Sequence, residues 1–202
     1  MTKMKPPFVP EKEVPVLTDD QLKALFAVCS GKDFADRRDN AILRLFADTG
    51  VRLAEMANLT VHDVDLDEQI AVVLGKGRRP RTVPFGNKTT TALDRYVRVR
   101  ARHKRAEEPA LWLGTNNKQP MTANGISQMV RKRGRDAGID SLHPHMLRHS
   151  FASHWLHEGG QEVDLMRITG WRSRAMVARY GAAAAVHRAK DAHRRIGLGD
   201  RF

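Results

Sequence analysis

Only one part of the sequence has a clear β-strand signal, and most of the rest of the chain is helical in character. Residues 69–74 are apolar and rich in β-branched side chains, which favours a strand. Gly75-Lys76-Gly77 then supplies a turn, and residues 81–85 are again extended in pattern. A third strand is predicted over residues 61–66. One small antiparallel sheet among helices predicts a mainly α domain of the α+β class.

Capping residues and helical spacing predict the other elements. Thr18 opens a capping box with Gln21, so the first helix begins there, and we expect it to end at Gly31. Residues 1–17 hold four of the nine prolines, which predicts an extended arm or linker. Apolar residues at helical spacing predict further helices over residues 36–48, 53–59, 88–105, 122–137, 145–158, 162–169 and 173–180, with one more over 182–195.

The positive charge of the chain is concentrated in one block. The 202 residues carry a formal net charge of +12, and residues 76–105 hold eleven basic side chains against one acidic side chain. Such a block is either a solvated face or a contact surface for phosphate, and composition does not separate the two. The overall balance makes nucleic acid the first expected partner.

Cysteine content and hydropathy exclude two classes of protein. Cys29 is the only cysteine, so a disulfide-stabilised secreted scaffold is excluded. No run approaches the ~18 apolar residues of a membrane span, and residues 1–10 lack the apolar centre of a signal peptide. We therefore expect a cytoplasmic protein without a membrane partner.

The sequence lacks the motifs that several kinds of chemistry require. No GxxxxGK[ST] loop is present and no GxGxxG follows a strand, so nucleotide binding has no support, and the GxSxG elbow of hydrolases is absent. His145 and His149 have the spacing of zinc ligands on a helix. However, Arg148 lies between them and no Glu follows His145, which argues against a metal site.

The segment from His143 to Ser150 is the most informative in the chain. Pro144 fits the first turn of a helix, where its missing N–H costs little. His145 and Arg148 then share a face near the helix N-terminus, whose free N–H groups suit a phosphate. A capped helix with a satisfied histidine is the structural alternative, and this segment alone leaves both interpretations open.

Two further segments carry candidate residues. Arg52 follows the turn Thr49-Gly50, with Glu55 three residues later, and could simply form a surface ion pair with it. Trp171 precedes Tyr180 by nine residues, and Tyr180 could equally be a buried anchor.

Taken in order, these residues resemble the catalytic domain of the tyrosine recombinases, the phage integrase family. The resemblance runs from about residue 18 to residue 180. Its most specific part is His-x-x-Arg followed by Gly-Trp and a tyrosine nine residues later; Thr-Gly-x-Arg-x-x-Glu is less specific and Gly-Lys-Gly is weak. The matching positions are Arg52, Lys76, His145, Arg148, Trp171 and Tyr180.

The resemblance implies a role for each catalytic position. Tyr180 would attack a DNA phosphodiester and form a 3′-phosphotyrosyl bond, so that strands are exchanged without ATP. Arg52 and Arg148 would hold the non-bridging oxygens, and Lys76 would protonate the leaving 5′-oxygen. His145 would accept the tyrosine proton or bridge to the phosphate.

Other positions would support this chemistry. Trp171 stands where most members carry a second histidine; its indole can donate one hydrogen bond but cannot shuttle protons. Glu55 would orient Arg52. No metal or other cofactor is implied, because fixed cations would neutralise the phosphate. Predicted DNA-contacting residues are Arg78, Arg79, Arg81, Arg172 and Arg174.

The resemblance also implies an organisation and partners. Residues 1–17 would be an arm or inter-domain linker, residues 18–180 the catalytic domain, and residues 181–202 a tail that docks on a neighbouring protomer. The partners would be a double-stranded DNA recombination site and a homo-tetramer assembled on it, with accessory DNA-bending or directionality proteins, all at the nucleoid of a prokaryote or on a mobile element.

Alternative interpretations stay open at this point. Most members carry an N-terminal core-binding domain, so we favour a catalytic fragment of a longer integrase over a short recombinase of the phase-variation type. A type IB topoisomerase would share the chemistry and relax supercoils. A DNA-binding protein that has lost catalysis is a third interpretation, which the complete residue set disfavours.

Overall fold

The computed structural model describes residues 15–75, 77, 79–115, 119–178, 180, 190, 193–197 and 199. These residues confirm the predicted class, helices with one small antiparallel sheet. The helices are α1 (Asp19–Ala27), α2 (Phe34–Thr49), α3 (Leu53–Ala57), α4 (Asn87–Arg100), α5 (Ala123–Asp136), α6 (Pro144–His157) and α7 (Glu162–Thr169). The strands are β1 (Val64–Asp65), β2 (Ile70–Leu74) and β3 (Pro80–Pro84). Residues 174–178 and 180 are helical too, where a helix over 173–180 is predicted.

The sheet runs in the order β1-β2-β3, and both pairs of strands are antiparallel. Ala71, Val73 and Val83 are buried against the helices, whereas Leu74 is half exposed. The predicted third strand is shorter than residues 61–66, because residues 61–63 form a 3₁₀ turn.

The core is built around α2, which packs against α4 and α6. Its residues Ile42, Leu43, Leu45 and Phe46 are fully buried. A second apolar cluster lies between α6, α7 and the helical residues 174–178 and 180. It consists of Ala152, Leu156, Leu165, Trp171, Val177 and Tyr180. This second cluster includes two of the predicted site residues, so the site is supported by packed side chains.

Two helices, α1 and α4, end several residues earlier than predicted, where tertiary hydrogen bonds are made. The side-chain amide of Asn40 donates to the carbonyls of Phe26 and Cys29, so α1 ends at Ala27 and does not reach Gly31. The buried Arg100 donates to four carbonyls of the following loop, which ends α4 five residues before the predicted boundary.

The buried core includes Leu17, two residues before α1. Leu17 is 2% exposed; its N–H donates to Ser150 Oγ (2.8 Å), and its carbonyl oxygen lies 2.8 Å from Nε2 of His154 on α6. Thr18 and Gln21 then form the predicted capping box. Residues 1–14 of the predicted arm and most of the predicted tail, including residues 181–189, lie outside the described residues. Among the described residues, no helix is long and apolar enough to cross a membrane.

Candidate active site

A glycine turn after α2 directs Arg52 into the site. Gly50 has φ +58°, and a Cβ atom there would lie 2.5 Å from Cδ1 of Phe151, so both the backbone conformation and the space require glycine. Arg52 follows as the N-cap of α3. Its backbone N–H and Nη1 donate to the Glu55 carboxylate at 2.8 and 2.9 Å, and the arginine side chain stays 42% exposed. The backbone and one guanidinium nitrogen of Arg52 are therefore held by Glu55, while part of the side chain stays exposed.

Glu55 is the centre of a larger ion-pair cluster. Arg81 on β3 donates from Nη1 and Nη2 to the two carboxylate oxygens at 2.8 and 2.7 Å, and its Nε donates to the Ile168 carbonyl at 2.7 Å. Burial alone would raise the pKa of Glu55, but the hydrogen bonds from Arg81 and from the Arg52 backbone outweigh it, so the pKa is held below its ordinary value. Glu55 is a buried anion shared by two arginines.

Arg148 enters the site from α6. His143 caps this helix through Nδ1, and Pro144 occupies its first turn, as predicted. The Arg148 guanidinium donates to the carbonyls of Gly50 and Thr169 and is 2% exposed. Burial and the nearby Arg52 lower the pKa of Arg148 to about 10, so it stays cationic at neutral pH.

Arg52 and Arg148 converge at the C-terminus of α7. Arg148 Nη2 donates to the carbonyl of Thr169 (2.8 Å), and Arg52 Nη2 donates to that of Gly170 (3.3 Å). Among the described residues, no carboxylate forms an ion pair with Arg148. Because Glu55 balances only one of the three guanidinium groups gathered here, the site has an excess of positive charge and suits an anion.

Trp171 and Tyr180 form the apolar side of the site. Their rings are parallel, with an interplanar angle of 4° and a centroid distance of 5.3 Å. The Arg148 guanidinium carbon lies 5.0 Å from the centroid of the Trp171 ring, within the range of a cation–π contact. Trp171 therefore contacts both the arginine and the phenol.

The structure adds a residue to the site that the sequence analysis did not assign. His149 Nδ1 is hydrogen-bonded to the Tyr180 hydroxyl. His145 contacts the His149 ring edge-on, with 4.2 Å between centroids, and its pKa is lowered by burial and by Arg148. The available signal was the four-residue spacing of His145 and His149, which the sequence analysis weighed only for zinc.

The remaining predicted site residues fall into three groups. Lys76 and Arg78 lie outside the described residues. Arg79, Arg172 and Arg174 are exposed, as DNA contacts would require. Arg81 has its guanidinium occupied by Glu55, and its side chain is 14% exposed, which favours a positioning role over direct DNA contact.

The geometry agrees with the comparisons to known proteins. The family model for the phage integrase family matches residues 15–187. The tyrosine recombinase XerC of Pseudomonas aeruginosa strain LESB58 is 38% identical over 165 residues, and that of Staphylococcus carnosus strain TM300 is 31% identical over 163 residues. These matches cover 81% and 80% of the chain but 54% and 55% of the relatives, so the chain spans about half their length.

A solved structure extends the likeness to the fold. The crystal structure of XerA recombinase superposes with a TM-score of 0.76 at 30% identity, covering 88% of this chain and 65% of the other. The Tn1549 transposon integrase, solved with transposon right end DNA, has a TM-score of 0.72 at 21% identity, covering 96% of this chain and 68% of the other. At that identity the second likeness concerns the fold alone.

Proposed function

The chain belongs to the phage integrase family, and on this premise we propose that it is the strand-cleaving and rejoining domain of a site-specific DNA recombinase. The observation that supports this proposal is the convergence of Arg52 and Arg148 on one side of the Trp171–Tyr180 stack. Two guanidinium groups with an excess of positive charge suit a phosphodiester, and a phenol beside them suits its attack.

The proposed reaction exchanges one phosphodiester for another. The Tyr180 oxygen forms a bond to phosphorus, the bond from phosphorus to the 5′-oxygen breaks, and a 3′-phosphotyrosyl bond and a free 5′-hydroxyl result. Because the bond energy is kept in the phosphotyrosyl bond, a 5′-hydroxyl of another strand can reverse the step without ATP. Arg52 and Arg148 would bind the non-bridging oxygens, where charge increases in the transition state.

Other residues complete the proposal. Lys76 would donate the proton that the leaving 5′-oxygen needs. Trp171 would hold the ring of Tyr180, while Glu55 and Arg81 would fix the direction of Arg52. The exposed Arg79, Arg172 and Arg174, together with Arg78, would contact DNA phosphates.

The substrate and assembly belong to the same proposal. Double-stranded DNA is the proposed substrate, since solved structures of the same fold include the XerH recombinase with its difH substrate and the Tn1549 integrase with transposon DNA. A tetramer on that DNA, docking of the tail on a neighbour, accessory proteins and a place at the nucleoid stay predictions.

A pool of randomised suicide substrates tests the proposal whatever the target sequence is. The chain is incubated with nicked duplexes whose central sequence is randomised, and adducts that resist SDS are isolated and sequenced. We expect covalent adducts on a defined sequence with the wild type and none with Tyr180→Phe. Tyr96→Phe is the matched control, because Tyr96 is the other of the two tyrosines and its hydroxyl donates to the Leu111 carbonyl in the core.

Three results would overturn the proposal. A wild type that forms no adduct with the randomised pool would remove the cleavage activity. Adducts that survive Tyr180→Phe would remove the nucleophile assignment. Relaxation of a supercoiled plasmid without dependence on sequence would replace the recombinase with a topoisomerase of type IB chemistry.

A further inference from the structure

We propose that His149, rather than His145, takes the proton from the Tyr180 hydroxyl when the phenol oxygen attacks the phosphorus. This inference rests on the proposed function and names a catalytic residue within it. His149 follows Arg148 directly on α6, so the group that would bind the phosphate and the group that would receive the proton share one rigid helix.

The hydrogen bond between Tyr180 and His149 carries the inference. His149 Nδ1 is the partner of the hydroxyl, and the two ring centroids are 5.2 Å apart. In a neutral imidazole whose proton is on Nε2, Nδ1 is the acceptor, so the phenol donates and the proton is already directed at its destination. A candidate base must lie within hydrogen-bond reach of the proton that it removes, and His149 meets this condition.

The surroundings of Tyr180 favour a side chain as the acceptor of its hydroxyl proton. Tyr180 is 9% exposed, and its ring packs on Trp171 and beside Val177 and Leu165 in the second apolar cluster. A phenol with an ordinary pKa of ~10 is almost entirely protonated at neutral pH. A phenol on a side chain this little exposed meets few water molecules that could accept its proton, so a neighbouring side chain suits that role.

The position of His145 gives it a different role. Its ring meets the edge of His149 with a centroid distance of 4.2 Å and an interplanar angle of 69°, and it is more exposed than His149. Burial lowers the pKa of His145, and the neighbouring Arg148, His143 and Arg52 lower it further. His145 would therefore hold the His149 ring and donate to a phosphate oxygen.

The proton and electron pairs balance over the step. The hydroxyl proton passes to His149 Nδ1, the oxygen forms its bond to phosphorus, and the bond between phosphorus and the 5′-oxygen breaks. The leaving oxygen takes a proton from a separate acid, for which Lys76 is proposed. In the reverse step the imidazolium returns its proton to the departing phenolate.

A substrate with a sulfur at the leaving position tests the inference. A 5′-bridging phosphorothiolate releases a thiolate that needs no proton, so it rescues a missing acid but not a missing base. We compare single-turnover cleavage of ordinary and phosphorothiolate suicide duplexes by the wild type, His149→Ala, His149→Gln and His145→Gln. His157→Ala, at the exposed end of the same helix, is the matched control.

The expected result is a loss of about 100-fold or more for both His149 variants on both substrates, the lower end of what a general base contributes. Binding of the duplex should change little, and His157→Ala should cleave as the wild type does. His149→Gln keeps a side chain that can accept a hydrogen bond. If His149→Ala lowers the melting temperature, the cleavage rate of His149→Gln still tests the inference.

Three results would overturn the inference. His149 variants that cleave at the wild-type rate, or His149→Gln alone cleaving at that rate, would remove the proton-accepting role. A defect that disappears on the phosphorothiolate would make His149 an acid for the leaving group. In each of these cases the wild type still forms adducts, whereas failure of the wild type itself would overturn the proposed function.

Discussion

Trp171 lies flat against Tyr180, with ring centroids 5.3 Å apart and an interplanar angle of 4°. The indole also contacts the guanidinium of Arg148, whose carbon lies 5.0 Å from the ring centroid. One buried aromatic side chain thus touches both the proposed nucleophile and a proposed phosphate ligand. An indole cannot replace a histidine as a proton carrier, but it can fix the relative position of these two groups.

Replacement of Trp171 tests this positioning role. Trp171→Ala removes the stacking and the cation–π contact, together worth about 1–3 kcal/mol, so single-turnover cleavage should fall by roughly 10–100-fold. Trp171→Phe keeps an aromatic face and should lose less. Suicide-substrate kinetics measure both variants. Equal losses for Phe and Ala would mean that the indole N–H, and not the ring face, is what the site requires.

Arg148→Lys tests the need for a planar, two-point cation. A lysine keeps the charge, but its donors all lie on one nitrogen and cannot reproduce the fork whose Nη1 and Nη2 reach the carbonyls of Gly50 and Thr169, so we expect cleavage to fall about 100-fold or more. Circular dichroism should show a retained helical fold. The exposed Arg135→Lys on α5 is the control and should keep the wild-type rate. Wild-type cleavage by Arg148→Lys would show that charge alone, without the planar fork, is sufficient at this position.

Glu55→Gln tests the ion-pair cluster through its dependence on pH. The pKa of Glu55 in the folded protein lies below the ordinary 4.5, so the folded state binds fewer protons than the unfolded state in acid. The stabilisation is complete above pH 4.5 and is lost as the pH falls through the lower folded value. The wild type should therefore exceed the variant in urea midpoint near neutral pH, and the difference should shrink in acid. A difference independent of pH would show that the carboxylate charge contributes nothing.

Leu17→Ala tests whether the domain begins before the first helix. Leu17 is almost fully buried on α6, so its truncation should cost about 2–5 kcal/mol in the free energy of unfolding. Leu74→Ala is the matched control, because this leucine is half exposed on β2 and its truncation should cost about 0.5 kcal/mol or less. Chemical denaturation measures both. A small loss for Leu17→Ala would make this residue part of a linker instead of the core.

Local sequence patterns predicted the elements and the order of the site residues. Three features depend only on residues close together in the chain: the capping box of Thr18, the proline in the first turn of α6 and the hairpin of β2 and β3. They can therefore be predicted without knowledge of the tertiary structure. For the same reason Glu55 was predicted as the partner of Arg52, three residues away.

Other features depend on residues that are distant in the chain. Arg81 belongs to a basic block that composition leaves as either a solvated face or a phosphate contact, but the fold brings it to Glu55. Arg100 in the same block ends α4 by binding loop carbonyls. The role of each of these arginines depends on the buried carboxylate or carbonyl that it binds. Only the tertiary structure brings those acceptors next to the arginine.

The sequence by itself therefore determined the class of fold, the family and the candidate residues Arg52, Arg148, Trp171 and Tyr180, which the structure brings together. Only the tertiary structure decided which histidine of α6 touches the phenol, because His145 and His149 occupy the same helical face and both have the right chemistry. The choice between them depends on where Tyr180 packs against α6, and that is set by long-range burial of Trp171 and its neighbours.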